Sequence, residues 1–190
     1  MGTRTMSLRG SLPMTIGRAV AYGDGAEHQI FEYESPDRTK GWRVTYARMW
    51  LQQCVTGTAG GDGRLLAQFT LSTDSLGAFA IGDADDAKEW ENRMGAGDNR
   101  TIAWSTTDYQ QRENVDGDFI VPAAGQGNHD MLLDVDRIVT SELWVQMYGI
   151  TEFSDFETTC NYYVELEEMK ITPAQSVYQQ IKGIGQDIDT

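Results

Sequence analysis

The sequence contains few of the side chains on which enzyme and metal sites are most often built. Its 190 residues include two histidines, His28 and His129, and two cysteines, Cys54 and Cys160. Two histidines cannot supply a three-histidine metal site, and two cysteines are too few for a disulfide framework. Both cysteines lie in or beside strand-like segments, where a free thiol acts as a small buried hydrophobic group. We therefore expect no catalytic or metal centre built on these residues.

Motifs for nucleotide binding and nucleophilic catalysis are also missing. The glycine-rich stretch "GTAGGDGR" at 57–64 lacks the Lys-Ser/Thr ending of a phosphate-binding loop, and no serine lies in a G-x-S-x-G elbow. The acidic run that begins at Asp83 fails the EF-hand pattern, because Lys88 stands where that loop requires glycine. We therefore expect no cofactor and no enzyme activity. A calcium site stays open as an alternative, with these ligands: Asp116, Asp118, Asp134 and Asp136.

Positive charge is scarce. The 29 acidic residues outnumber the 15 basic ones, and the net charge of −14 repels the phosphate backbone of nucleic acids. The N-terminal residues 1–20 carry Arg4, Arg9 and Arg18, which are too sparse for strong nucleic-acid binding. We interpret residues 1–20 as an extended arm that contacts a neighbouring subunit, with weak or no direct nucleic-acid binding.

No apolar run approaches the length of a membrane span, and the first residues lack the core of a signal peptide. The sequence therefore predicts a soluble chain with no membrane span and no export signal of its own.

Strand patterns recur at short spacing from His28 onward, with no long helical pattern between them. The stretches that read as strands are "HQIFEYES", "GWRVTYARMWLQQ", "RLLAQFTLS", "NRTIAWSTT", "DFIVP", "HDMLLDV", "SELWVQMYG" and a last one from about Cys160. Eight such strands without crossover helices predict a single all-β domain over 21–190, an antiparallel sandwich of the jelly-roll or another Greek-key type. In "GWRVTYARMWLQQ", alternation places Trp42, Val44, Tyr46 and Trp50 on one face.

Two short helices interrupt the strands. The segment "DADDAKEWENRMG" at 83–95 places Ala87, Trp90 and Met94 at helical spacing. The second helix ends the chain: Thr172 can cap it, Pro173 suits its first position, and Gln175 completes a capping box.

The C-terminal segment also changes its period. Tyr162, Val164 and Leu166 share one parity, whereas Met169 and Ile171 share the other, which predicts a bulge or twist near Glu167 and Glu168. The helix that follows carries an apolar stripe, which comprises Ala174, Val177, Tyr178 and Ile181. Two interpretations stay open: the helix closes its own sandwich, or it docks on a neighbouring subunit. We expect truncation before residue 175 to impair assembly more than folding.

Three stretches together resemble small structural proteins encoded by uncultured marine DNA viruses: "EHQIFEYE", "DNRTIAWSTTDYQQR" and "NYYVELEEMKITPAQSVYQQIKGIGQDI". The resemblance covers most of the chain from about residue 26. It implies a single jelly-roll virion protein, made in the host cytoplasm, that assembles with copies of itself and has no catalytic residues to carry over. The chain departs from many small capsid proteins because its N-terminal arm is not strongly basic.

The sequence therefore predicts a self-assembling capsid subunit, which also contacts other virion proteins if these are present. The residues that we expect to contact neighbouring subunits are Arg4, Arg9, Val177, Tyr178 and Ile181. Two alternatives stay open: a decoration or adaptor component of a virion, and a carbohydrate-binding sandwich, which the five tryptophans motivate.

Overall fold

Strands form most of the part of the chain that the structure describes. A computed structural model describes residues 4–16, 24–33, 39–52, 55–56, 64–76, 98–112, 118–122, 130–151 and 156–184. Within these ranges lie ten strands: β1 (Thr5–Ile16), β2 (Asp24–Glu32), β3 (Lys40–Leu51), β4 (Val55–Thr56), β5 (Arg64–Ser72), β6 (Thr101–Arg112), β7 (Asp118–Pro122), β8 (Leu132–Leu133), β9 (Glu142–Thr151) and β10 (Phe156–Lys170). One helix, α1 (Pro173–Ile184), follows β10. The described residues therefore divide into two β-sheets and a C-terminal helix.

The strand order identifies the architecture as a jelly roll. The first sheet has the order β1-β10-β3, and the second has the order β2-β9-β5-β6-β7-β4, with β8 paired to β6. The first strand pairs with the last, the second with the ninth, and the fifth with the sixth, always antiparallel. This nested pairing is that of one long hairpin rolled up so that its strand pairs alternate between two sheets. The predicted antiparallel sandwich is confirmed, and β4 and β7 extend its second sheet.

The segment 130–139 supplies the fourth position of the first sheet. It runs antiparallel to β3, with isolated bridges that pair Val139 with Trp42 and Asp130 with Arg48. The amide of Trp42 donates to the Val139 carbonyl at 2.9 Å, and the reciprocal bond measures 2.7 Å. Between these bridges, β8 pairs with β6 of the second sheet. One irregular segment therefore contacts both sheets and closes this side of the sandwich.

The core lies between the two sheets. From the first sheet it takes Val44, Met49, Val164 and Leu166, and from the second Ala67, Phe69, Leu71, Leu143, Val145 and Met147. The residues from the second sheet follow the alternation that the sequence predicts for β5 and β9. Burial of apolar surface between the sheets is what holds them together.

The alternation predicted for β3 is correct only over its first half. Trp42 and Val44 are buried, but Tyr46 and Trp50 lie on the outer face, whereas Ala47 and Met49 are buried. The pairing with β10 skips a residue of β3: Tyr46 pairs with Glu165, and Val44 pairs with the next residue of β10. Thr45 is therefore the extra residue of a β-bulge, and one extra residue exchanges the two faces of the strand beyond it. The bulge lies on β3, opposite Glu165, and not at Glu167 and Glu168 of β10.

The residues assigned to an N-terminal arm contain a strand of the sandwich. Strand β1 pairs with β10 over its whole length, from Thr5 opposite Glu167 to Ile16 opposite Phe156. The period-two pattern of β1 is interrupted by Gly10, and Pro13 lacks the amide that an inner strand would need. A proline is compatible with an edge strand, and β1 forms an edge of the first sheet. The sandwich therefore begins before the predicted boundary at residue 21.

Several predictions concern residues outside the described ranges. These are the helix at 83–95, the glycine-rich stretch around 57–63, Cys54, His129 and Asp116. The predicted C-terminal helix is present as α1.

Gly41 allows the segment 130–139 to approach β3. A Cβ atom at Gly41 would lie 2.5 Å from Ile138 Cγ2 and 3.2 Å from the carbonyl oxygen of Val139. That carbonyl is part of the backbone and cannot rotate away. We expect Gly41→Ala to cost about 1–3 kcal/mol, the usual cost of overpacking, measured as a lower urea midpoint.

The matched control is Gly10→Ala, where the added Cβ would meet only the end of the Tyr162 ring. A side-chain tip can move, so we expect this control to cost less than Gly41→Ala. Equal losses from the two substitutions would contradict the role given to Gly41.

Two buried acidic groups make the fold sensitive to alkali. Burial raises the pKa of the Cys160 thiol to about 12 and that of the Tyr109 hydroxyl to about 12. The Tyr109 oxygen accepts a hydrogen bond from the Leu51 amide at 3.1 Å, which joins the two sheets. Both groups keep their protons in the folded chain and lose them more readily when it unfolds. The stabilisation that these groups contribute to the fold is complete below their unfolded pKa values of 9.0 and 10.0. It is lost as pH rises toward about 12.

We therefore expect the free energy of unfolding to fall between pH 9 and 12, which urea titrations at each pH can measure. In Cys160→Ala the loss should be smaller, because one of the two buried groups no longer titrates. An identical alkaline slope in this variant and the parent would contradict the role of Cys160.

Candidate functional site

Helix α1 begins directly after the last strand and is held there by a capping box. Strand β10 ends at Lys170, and the Ile171 amide donates to the Thr39 carbonyl at 2.9 Å. The Gln175 amide donates to Thr172 Oγ1 at 3.2 Å, and the Thr172 amide donates to Gln175 Oε1 at 2.9 Å. The predicted cap is therefore confirmed, and it satisfies amides that the first turn of a helix leaves unpaired.

The helix turns its polar face toward the sandwich. Ser176 is only 2% exposed, and Gln179 Nε2 donates to the Asp136 carbonyl at 3.3 Å. The apolar stripe faces away: Val177 is 41% exposed, Tyr178 63% and Ile181 60%. An amphipathic helix that covers its own core would show the opposite orientation. The stripe is therefore uncovered in the single chain.

Half of the large apolar side chains that are exposed in the described part of the chain belong to this stripe. The complete set is Leu66, Leu132, Val135, Val177, Tyr178 and Ile181. Single exposed apolar residues are ordinary, but a row of them on one helix face is typical of an interaction surface.

A cleft of about 220 Å³ lies between α1 and the sandwich. Its lining comprises Thr73, Asp74, Arg137, Ile138, Thr140, Ser141, Gln179 and Gln180. Three segments meet there: the end of β5 with the turn that follows it, the 130–139 segment with the residues leading to β9, and α1. Hydroxyl, amide and charged side chains make up most of the lining residues, but their apolar atoms contribute the larger part of the lining surface.

Arg137 is the buried charge of this region, at 1% exposure. Burial lowers the pKa of its guanidinium, and the charges of Asp134 and Asp98 act in the opposite direction. An arginine nevertheless stays protonated at neutral pH. Only one hydrogen bond of its side chain lies within the described residues: Nη2 donates to Thr73 Oγ1 at 3.2 Å.

Sequence reasoning does not single out Arg137. Met131, Arg137 and Val139 share one parity of the 130–139 segment and are buried, but Val135 has the same parity and is exposed in a turn. Alternation along this segment therefore does not identify the buried arginine.

The two arginines expected at subunit contacts lie on the side of β10 that faces β1. Arg4 lies 6.0 Å from the centroid of the Trp42 ring, and its carbonyl accepts from the Glu168 amide at 2.8 Å. Arg9 is exposed on β1 opposite Tyr163, seven residues of β10 before the strand ends at Lys170. Both arginines therefore lie at the β1 edge of the first sheet, and their role in subunit contacts stays a prediction.

Of the four carboxylates named as calcium ligands, the structure describes the side chains of Asp134 and Asp136. The Asp136 amide donates to Asp134 Oδ1 at 3.1 Å, which is the geometry of a turn. Among residues whose positions the structure gives, no three His, Cys, Asp or Glu side chains meet to hold a metal ion. His28 lies exposed on β2, opposite Val145.

The tryptophans that motivated sugar binding differ in their surroundings. Trp42 is buried and packs edge to face against Phe31 and Tyr33, with ring centroids 6.0 Å away in each case. Trp50 is partly exposed on the outer face of β3, and the Arg48 guanidinium lies 5.3 Å from its ring centroid. A ring face covered by a cation is not open for stacking on a sugar.

No family model and no curated protein sequence matches the chain. Solved structures that match include one of Desmodium yellow mottle tymovirus, with 9% identity, a TM-score of 0.33, and coverage of 91% of this chain and 93% of that chain. A likeness this loose carries no inference about fold or role; the jelly-roll assignment comes from the strand order. In the described part of the chain, no helix has the length and apolar character to cross a membrane.

The capping box makes the helix sensitive to one hydroxyl. Replacing a threonine cap by alanine typically costs about 1 kcal/mol, so we expect Thr172→Ala to reduce amide-exchange protection in α1 about five-fold. Thr106→Ala is the control, because it removes an exposed hydroxyl from β6, outside the helix. Unchanged protection of α1 in Thr172→Ala would show that packing alone holds the helix.

Proposed function

We propose that this chain is a virion structural protein, a capsid subunit of a small DNA virus that assembles with copies of itself. The observation that carries the proposal is the outward orientation of the stripe Val177, Tyr178 and Ile181 on a helix whose polar face contacts its own sandwich. The jelly-roll connectivity supports it, since viral capsid domains are among the proteins built on this fold. The chain would then reside in the virion after synthesis in the host cytoplasm.

A second copy is the partner that fits the stripe, because the helix differs in charge from the rest of the chain. Residues 173–184 contain Lys182 and no carboxylate, whereas the chain as a whole carries a net charge of −14. A neutral to basic helix can therefore dock on another copy without the repulsion that two acidic surfaces would show. Chains of one kind also assemble most often through surfaces that repeat under symmetry.

The test replaces the stripe and leaves the fold intact. In the triple variant Val177→Thr, Tyr178→Gln and Ile181→Thr, we expect particles or rings of the parent protein to be replaced by monomers. The melting temperature of the monomer should change little, because exposed substitutions usually alter stability by about 0.5 kcal/mol or less each. Light scattering after size exclusion and negative-stain microscopy measure assembly, and circular dichroism measures folding.

Leu66→Thr is the matched control, since Leu66 is 43% exposed but lies on β5 rather than on the helix. This control should assemble like the parent protein. The proposal fails if the parent is monomeric at high concentration and high salt, or if the triple variant assembles normally.

A decoration or adaptor role differs in one measurable respect. A decoration protein would stay monomeric alone and would co-sediment only with a shell formed by another protein. The same stripe would then contact that shell, so that the triple variant would lose co-sedimentation. Carbohydrate binding is less well supported, because Trp42 is buried and Arg48 covers Trp50.

A further inference from the structure

Most of the large apolar side chains that are exposed in the described part of the chain lie on two segments that touch each other. Besides the stripe on α1, they include Leu132 and Val135, which are 66% and 63% exposed. Leu132 belongs to β8, and Val135 lies in the turn that follows it. The helix contacts this turn directly, because Gln179 Nε2 donates to the Asp136 carbonyl at 3.3 Å. The 132–136 segment therefore lies beside the helix stripe.

The helix stripe is too small to form a stable interface by itself. A stable protein–protein interface buries about 800 Å² and roughly 20–30 residues on each partner. The stripe presents only the side chains of Val177, Tyr178 and Ile181. A contact through the stripe must therefore include the surface next to it, where Leu132 and Val135 supply further apolar area.

The 132–136 segment is held in a fixed conformation by the sandwich. Strand β8 pairs with β6, and the Asp134 amide donates to the Ile102 carbonyl at 2.7 Å. The Asp136 amide then donates to Asp134 Oδ1 at 3.1 Å, which closes the turn. A surface that is already ordered loses less conformational entropy on association than a loop that must first become ordered. Both the helix and this segment are therefore prepared for a rigid contact.

The two surfaces complement each other in charge and in hydrogen bonding. Residues 173–184 contain no carboxylate, whereas the 132–136 segment contains Asp134 and Asp136. Asp136 is exposed, so that its carboxylate can accept a hydrogen bond from the Tyr178 hydroxyl of a neighbouring copy. A contact between two helices would lack this acceptor, and a contact between two 132–136 segments would bring like charges together. The helix of one copy therefore fits the 132–136 segment of another.

We propose that the helix stripe of one copy packs on the 132–136 segment of a second copy, and that the second copy makes the same contact in return. Because the two surfaces lie side by side on each chain, one two-fold axis forms both contacts at once. This inference rests on the proposed assembly role of the stripe and adds the surface that the stripe contacts.

Two single substitutions test the two halves of the contact. Val135→Lys places a cation opposite a helix that has no carboxylate, and Ile181→Glu places an anion opposite Asp134 and Asp136. We expect each variant alone to need at least about ten-fold more protein than the parent to associate, because each substitution damages both contacts of a pair. Light scattering after size exclusion, over a dilution series, measures this concentration.

An equal mixture of the two variants tests whether the two surfaces face each other. In a mixed pair, the lysine of Val135→Lys lies opposite the glutamate of Ile181→Glu, and the second contact consists of unchanged residues. We expect the mixture to associate within about three-fold of the parent's concentration, since opposite charges replace the damaged contact. If both single variants are impaired and the mixture does not recover association, the pairing of these surfaces is refuted.

Leu66→Lys is the charge-matched control, because it adds the same cation at an exposed apolar position of β5, and it should associate like the parent. Circular dichroism should show the parent fold in all three variants, since the replaced side chains are exposed. Normal association of Val135→Lys with impaired Ile181→Glu would overturn the contact with the 132–136 segment and leave the assembly role of the stripe intact. Normal association of both variants, or a parent that stays monomeric, would contradict the proposed function itself.

Discussion

Strand β10 is the element on which the rest of the first sheet depends. It pairs with β1 along one edge and with β3 along the other, and its inner face contributes Cys160, Val164 and Leu166 to the core. Pairing of Thr5 with Glu167 joins the two ends of the described chain, so the sheet forms only when distant segments meet. Such non-local pairing costs loop entropy before it gains burial, which makes slow folding the natural consequence of this topology. The position of α1 also depends on β10, since the helix starts where this strand ends.

The segment 130–139 determines what lies beneath the helix. It bridges β3 at both of its ends and contacts β6 in between, and the tight fit at Gly41 keeps it against the first sheet. Its inward positions carry Met131 and Val139, but also Arg137. The helix contacts this segment with polar groups: Ser176 is buried, and Gln179 Nε2 donates to the Asp136 carbonyl. These contacts hold the polar face of α1 against the sandwich and leave its apolar stripe outward.

The sequence predicts those features that depend on local alternation and capping. Strands β5 and β9, the buried Leu143, Val145 and Met147, and the Thr172 capping box all follow from residues close together in the chain. Features that depend on a partner strand are not encoded locally. The bulge at Thr45 exists only in the ladder with β10, and β1 is stabilised by a strand about 150 residues away in sequence. The candidate cleft is of the same kind, because its lining combines three distant segments around one arginine.

Charge sets the conditions under which copies of this chain can associate. Each copy carries a net charge of −14, so association brings like charges together, and only the local composition of a surface can offset this repulsion. Salt screens charges beyond about 10 Å at 0.1 M, whereas burial of apolar side chains is not weakened by it. Rising ionic strength therefore weakens the repulsion between whole copies and leaves the attraction of the surface formed by Val177, Tyr178 and Ile181 in place. In an acidic chain, association through an apolar stripe on a helix without carboxylates should therefore strengthen with salt, because screening reduces the repulsion that opposes it, and the orientation of α1 leaves that stripe at the surface.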